Sequence, residues 1–422
     1  MKQKHIVVLT GSYYPNFSAV GICAAKVVDE LKKEARITVV SQKTDINEKE
    51  EVAYGGYLIK RVSTKLDNTR IGAIKKREEG SGVVRFYYLI LINIIRIINY
   101  LKAISGKVNI KGRQVDAFVN ALCKVNKEHP IDAVICCSFP FESVLAGIEY
   151  KRLHNDVKVI PYLFDNFVER DGLHRAAWNT RMKWSRHLGL VKKVLEESDS
   201  VFAMHSLRRH FSMYYREGLD KIVYVEHPLL IRKEKDVKQA NETANLVYAG
   251  SFLKNYVEPY FLINVLNEVL KRTVVDVDFY VMGNCVKCID VLASRFPVSV
   301  KNHGKVAFEI ADRAILDSDI LLCVAERSGI QVSSKIFTYM SVGKPIILFY
   351  ENENDINKSI LSRYPLALFV NQKSGTVGEA AGYIIDFIGR NKCNELNFSE
   401  VRLLYPDAEP AFTAKKMFAA LE

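Results

Sequence analysis

The stretch Gly329-Ile330-Gln331-Val332-Ser333-Ser334-Lys335-Ile336-Phe337-Thr338-Tyr339-Met340-Ser341-Val342-Gly343-Lys344-Pro345-Ile346-Ile347 decides how this chain is read. The apolar run from Asp319 to Val324 before it reads as a buried strand, and the run from Ile346 to Tyr350 after it as another. Between them, Ser333 or Ser334 stands where it can cap a short helix that Gly343 ends. A strand, a loop, a helix start and a second strand make an anion site by geometry. The first N–H groups of the helix face the loop, and the helix dipole favours negative charge there. Lys335 adds a cation in the first turn. The same residues also suit a plain capped helix with a solvated lysine.

Around this segment, strand and helix alternate twice. Apolar runs at Ile6–Leu9, Ile37–Val40, Tyr57–Val62, Ala133–Cys137, Val157–Leu163, Val201–Met204 and Ile222–Val225 read as strands. Helical periodicity separates most of them, at Val20–Glu34, Val115–Lys127, Phe141–Leu153 and Lys183–Glu197. A polar segment, 231–245, reads as a linker. Strands then resume at Leu246–Ala249, Val277–Met282, Val298–Val300, Ile320–Val324, Ile346–Phe349 and Ala367–Val370. Near-continuous apolar strands between helices mean parallel sheets covered on both faces. The expected class is α/β, with domains at 1–230 and 246–405 and a final helix within 406–422.

Length and composition agree. A chain of 422 residues exceeds one typical core. With 49% apolar and 26% charged residues it is not disordered. The net charge of +12 calls for an acidic partner: a nucleotide diphosphate, an anionic membrane surface or nucleic acid. Neither paired zinc ligands nor an aromatic ribonucleoprotein motif is visible, so nucleic acid is not an expected partner. The apolar run Ile6–Leu9 is too short for a signal-peptide core, and the eight scattered cysteines read as reduced thiols of a cytoplasmic protein. Cys285 and Cys288 form a C-x-x-C with no second ligand pair, so no metal is expected; a redox role is the alternative.

The run Ser333 to Ile347 resembles the donor-phosphate segment of bacterial family-4-like GT-B glycosyltransferases, in which two Rossmann-like domains face each other across a cleft. The resemblance implies that Ser333, Ser334 and Lys335 meet a donor diphosphate. Relatives bracket this loop with two glutamates, one near the sugar and one holding the donor ribose. Ile330 and Thr338 occupy those positions here. The loop Tyr13 to Ile22 resembles the family's glycine-rich turn, and Gly21 matches its last glycine. Tyr248-Ala249-Gly250-Ser251-Phe252-Leu253-Lys254 resembles the turn whose Arg and Lys grip the diphosphate. Ser251 replaces the Arg and Tyr256 the Lys, which leaves Gly250 and Lys254 as the candidates. Gly304 and Val306 resemble the segment beside the donor base. Ile160 to Asp165 resembles the strand end that carries a catalytic His in many relatives, so Asp165 is the candidate catalytic group; it also suits a cap of the next segment. His227, in the hinge-side segment Glu226-His227-Pro228, reads as structural. The final helix resembles the family's tail that crosses back onto the first domain.

The segment Val83–Leu101 is apolar with basic flanks, and Arg85, Asn93, Arg96 and Asn99 fall within a stripe of about 120°. An Arg inside a spanning helix costs roughly 2.5–3.5 kcal/mol, which argues against a transmembrane helix. Two readings remain. The leading one is a core-facing helix of the first domain. The other is an interfacial helix in which 70–113 contacts an anionic membrane.

The resemblance implies a metal-independent, retaining hexosyltransferase without a cofactor. It would move a sugar from a nucleotide-sugar donor to a glycan or lipid-linked acceptor in surface polysaccharide synthesis, in the cytoplasm or peripherally on the inner face of the membrane. The missing acids at Ile330 and Thr338 keep a non-catalytic GT-B subunit in view as an alternative. A nucleotide-sugar 2-epimerase is a further one.

Overall fold

The computed structural model describes residues 3–169, 174, 176–233 and 243–422. It divides into two compact units: Met1–Pro228 with Pro410–Glu422, and Leu229–Glu409. Residues 234–242 of the expected linker lie outside the described residues.

The first unit runs β1 (His5–Thr10), α1 (Ala19–Leu31), β2 (Arg36–Gln42), β3 (Glu51–Tyr54), β4 (Tyr57–Val62), α2 (Lys65–Glu79), α3 (Gly82–Ser105), α4 (Gly112–Glu128), β5 (Ala133–Ser138), α5 (Phe141–Leu153), β6 (Lys158–Leu163), α6 (Ala177–Glu197), β7 (Val201–Met204), α7 (Arg208–Tyr214) and β8 (Ile222–Val225). Its sheet has the order β3-β4-β2-β1-β5-β6-β7-β8, parallel except for the β3–β4 hairpin. Sequence periodicity missed β3, a four-residue edge strand with no buried residue. Its turn was legible: Gly55 and Gly56 take φ of +55° and +88°, the conformation a two-residue hairpin loop demands.

The second unit runs β9 (Ala244–Phe252), α8 (Tyr260–Arg272), β10 (Val275–Gly283), α9 (Lys287–Arg295), β11 (Val300–Asn302), α10 (Phe308–Asp317), β12 (Ile320–Val324), α11 (Lys335–Ser341), β13 (Ile346–Tyr350), α12 (Ile356–Leu361), β14 (Ala367–Asn371), α13 (Val377–Asn391) and α14 (Phe398–Leu404). Its six strands are all parallel, in the order β11-β10-β9-β12-β13-β14. Alternate residues of each strand enter different cores. Leu246, Tyr248, Leu322, Val324, Ile347 and Phe349 share one, while Val247, Ala249, Leu321, Cys323, Ile346 and Leu348 share the other. Both faces are therefore buried, and this is why the strands read as unbroken apolar runs. The strand expected at Val298–Val300 begins at Val300. The N–H groups of Ser299 and Val300 are spent on a turn back to the Phe296 carbonyl, so the ladder starts later.

The last helix, α15 (Pro410–Ala419), belongs to the first unit and packs on α1. Near it, the Lys4 ammonium donates to the Leu421 carbonyl at 2.8 Å.

The core-facing reading of Val83–Leu101 is wrong. Helix α3 does form, but only Ile92, Ile95 and Ala103 along it are buried. Its partner is the polar helix α2, and its apolar side stands open. Its C-terminal end is anchored to α6. The Ala103 carbonyl accepts from the amide of Asn179 at 3.1 Å and from the fully buried Lys183 ammonium. Beside them His187 accepts the Asn109 N–H at 3.1 Å, and burial, next to His174 and Lys183, pushes its pKa down to about 3. That ring is neutral at ordinary pH.

Candidate functional site

In an open parallel sheet, ligands bind outside the strand C-termini where the strand order reverses. The second unit's reversal lies between β9 and β12, whose ladder extends only through the pairs Ile320–Leu246 and Leu321–Val247. Past Val247 the two strands part. The far end of β9 carries Gly250, and the loop after β12 leads to Lys335.

These two sequence-predicted residues meet. A Cβ on Gly250 would lie 1.8 Å from Lys335 Nζ, so the ammonium occupies the space that glycine leaves. The ammonium sits 4.8 Å from the centroid of the Tyr248 ring and 3.4 Å from its hydroxyl. Tyr248 is held by stacking on Phe252, with centroids 4.3 Å apart. Tyr339, one turn along α11, ties the helix to β9: its hydroxyl lies 3.3 Å from both the N–H and the carbonyl of Ala249. Among the described residues no carboxylate forms an ion pair with Lys335. Burial lowers its pKa below the ordinary lysine value, partly offset by neighbouring Cys323. A half-buried cation without a counter-ion among the described residues, at a switch point, has the chemistry that suits an anion. Thr338 follows three residues later and shares the helix face with Lys335.

The loop's other donors are used differently from the expectation. Neither serine caps α11 through its side chain. Ser334 already has helical dihedrals, φ −56° and ψ −21°, which takes it out of the extended conformation of a capping residue. The Ser333 N–H donates to Asn357 Oδ1 at 2.6 Å. Sequence reasoning also missed Glu326. Its buried carboxylate accepts the N–H groups of Ser328 and Ile330 at 2.8 Å and of Gln331 at 3.1 Å. The loop is thus organised around a carboxylate of its own chain, and those amides are not open to a ligand. The signal was an acidic residue two positions beyond a buried strand, four before Ile330.

The other candidates lie apart from this contact. Lys254 has an exposed side chain, on a turn whose backbone N–H is held by Asn284 Oδ1 at 2.9 Å. That turn touches the loop before α11 through Tyr256, whose hydroxyl bonds to Gln331. Gly304, at φ +63°, and Val306 lie on the loop after β11. This loop also carries His303, which the sequence reading did not single out. Its ring stacks on Tyr280 at 4.4 Å and hydrogen-bonds to Asp278 at 2.6 Å.

In the first unit, Gly21 serves packing, because a Cβ there would come within 2.2 Å of the Ser12 carbonyl oxygen. Ser18 caps α1, accepting the Gly21 N–H at 3.1 Å. Asp165 is half-buried just past the C-terminus of β6, and its charge acts on buried Cys23 of α1. Neighbouring Asn166 caps the following turn by accepting the N–H groups of Val168 and Glu169. His227 is buried and bonded through Nδ1 to its neighbour Glu226 at 2.9 Å. Cys285 and Cys288 are both free thiols, and burial raises the pKa of Cys288. A raised pKa opposes redox chemistry. Among the described residues no group of three or more His, Cys, Asp or Glu side chains could hold a metal ion.

No sequence-family model matches the chain, and no curated protein sequence matches it. Solved structures do. A sucrose-phosphate synthase from Thermosynechococcus elongatus superposes with a TM-score of 0.61 at 11% identity, covering 99% of each chain. A UDP-forming α,α-trehalose-phosphate synthase from Burkholderia vietnamiensis gives 0.58 at 11% identity, again over 99% of each. The lipopolysaccharide outer core galactosyltransferase WaaB gives 0.52 at 12% identity and the same coverage. With two doubly wound units, the chain has the GT-B fold, as the run Ser333 to Ile347 suggested.

Proposed function

We propose that the chain is a glycosyltransferase that moves a sugar from a nucleotide-sugar donor to a glycan or lipid-linked acceptor. The observation that carries this reading is the unpaired Lys335 ammonium lodged on Gly250 at the switch point of a GT-B donor-type unit. Transfer leaves a nucleoside diphosphate with growing negative charge, and a fixed, half-buried cation stabilises it without a metal. In this proposal 246–405 is the donor domain and 1–230 the acceptor domain. Lys335 is the diphosphate contact, with Lys254 reaching in from its turn and Thr338 at the ribose. Asp165 is the catalytic polar group. The retaining outcome, the role in surface polysaccharide synthesis and a cytoplasmic site at the inner face of an anionic membrane, contacted through 70–113, belong to the same proposal. Titration with a panel of nucleoside diphosphates and nucleotide sugars, followed by a hydrolysis assay, tests it. The expected result is saturable binding of at least one and slow hydrolysis. Tight association with another glycosyltransferase and no nucleotide binding would favour the non-catalytic subunit.

Thr338 sharpens the test. A glutamate can accept both ribose hydroxyls, whereas threonine offers one hydroxyl on a shorter stem. A hydrogen bond to a charged group is worth about 1.5–3 kcal/mol, so the wild type should bind its donor weakly. Thr338→Glu is expected to tighten donor binding by about tenfold or more in calorimetry. Weaker binding by that variant would contradict the placement of the ribose on this face of α11.

A further inference from the structure

Helix α3 displays an apolar face that nothing in the described chain covers. Val83, Tyr87, Ile90, Ile94, Ile97 and Leu101 follow one another at steps of four and three, and Val83 is 84% exposed. The helix is long and apolar enough to cross a membrane. Two features oppose crossing: Arg96 lies within its apolar stretch, and the polar helix α2 packs along it. Lying flat meets neither obstacle. Arg85 and Arg96, three turns apart, share an azimuth to within about 20°, about 100° round the helix from Ile97 at the near edge of the apolar face, from where long guanidinium stems snorkel toward lipid phosphates.

Charge selects the occupant. From Gly80 to Arg113 there is no acidic residue against six basic ones. Two copies of this face would bring like charges together, whereas an anionic lipid surface complements them. Between the helices, Arg70 of α2 and Arg96, Asn99 and Tyr100 of α3 line a cavity of about 390 Å³. Among the described residues neither guanidinium meets a carboxylate, and Arg96 reaches only Asn93 Oδ1 at 3.4 Å. Two unpaired forks beside an amide and a phenol match a phosphodiester. The grip of Lys183 and Asn179 on Ala103 fixes the helix to the first unit at one end.

We propose that the α2–α3 hairpin docks the first unit on an anionic bilayer, with the apolar face of α3 in the acyl boundary and one lipid phosphate held between Arg70 and Arg96. This rests on the membrane part of the function proposed above. Flotation of the full chain with phosphatidylglycerol-containing and pure phosphatidylcholine vesicles tests it. Wild type should float with the anionic vesicles, less so at high salt, and stay down with phosphatidylcholine alone. Ile90→Glu with Ile94→Glu should abolish flotation. Arg70→Gln with Arg96→Gln should weaken it about thirtyfold, from roughly one kcal/mol per cation, without changing nucleoside diphosphate affinity. If the arginine variant floats as wild type does, the phosphate clamp is overturned and membrane docking survives. If wild type floats with neither vesicle, or self-associates without lipid in a way the two Ile→Glu changes reverse, docking itself is overturned.

Discussion

Gly343→Ala is expected to destabilise the second unit by about 2–5 kcal/mol, from about 1–2 for left-handed backbone and about 1–3 for overpacking. Gly343 ends α11 at φ +73°, where L-residues are strained. A Cβ there would lie 1.9 Å from the Leu396 carbonyl oxygen. That atom belongs to a backbone fixed by the bond from the Leu396 N–H to the Gly343 carbonyl, at 2.9 Å. The new methyl can be relieved only by moving one chain off the other. Urea unfolding should show a lowered midpoint with the slope retained. A midpoint equal to wild type would mean that this turn is looser than described.

Gly250→Ala is expected to damage the site as well as strain the backbone, since Gly250 takes φ +158°, a conformation L-residues rarely adopt. The atom its methyl meets is the end of the flexible Lys335 side chain and not a backbone carbonyl. The ammonium can swing away and relieve the clash, but it then leaves the position beside Tyr248. Losing a charge-assisted contact of about 1.5–3 kcal/mol predicts ten- to a hundredfold weaker nucleoside diphosphate binding. Calorimetry beside a melting curve separates the two effects. Undiminished affinity would contradict the placement of the ligand over Gly250.

Much of the fold was legible because each core strand is buried on two faces, and Ile320–Val324 or Val201–Met204 leave little else to be. The β3–β4 hairpin escaped because an exposed edge strand needs no apolar alternation. For α3, periodicity revealed an apolar face but not what covers it, since the same stripe suits a core, a bilayer or a second chain. The candidate site was half legible. Gly250 and Lys335 were each picked out by resemblance. Their contact, across 85 positions, depends on β9 and β12 being neighbours in the sheet. The fate of the loop amides was hidden for a similar reason. A carboxylate's partners follow from the path of the loop, so Glu326 looked like any surface acid.

The central claim is that Lys335 is a ligand-binding cation, and Lys335→Met tests it most directly. Methionine keeps the packed stem and removes the charge, and a half-buried cation with no counter-ion contributes little to folding. The measurement is calorimetric titration of both proteins with the nucleoside diphosphate that wild type binds best, alongside their urea midpoints. The account predicts equal or higher stability for the variant and an affinity lower by about ten- to a hundredfold. Unchanged affinity with reduced stability would contradict it and make Lys335 a structural residue.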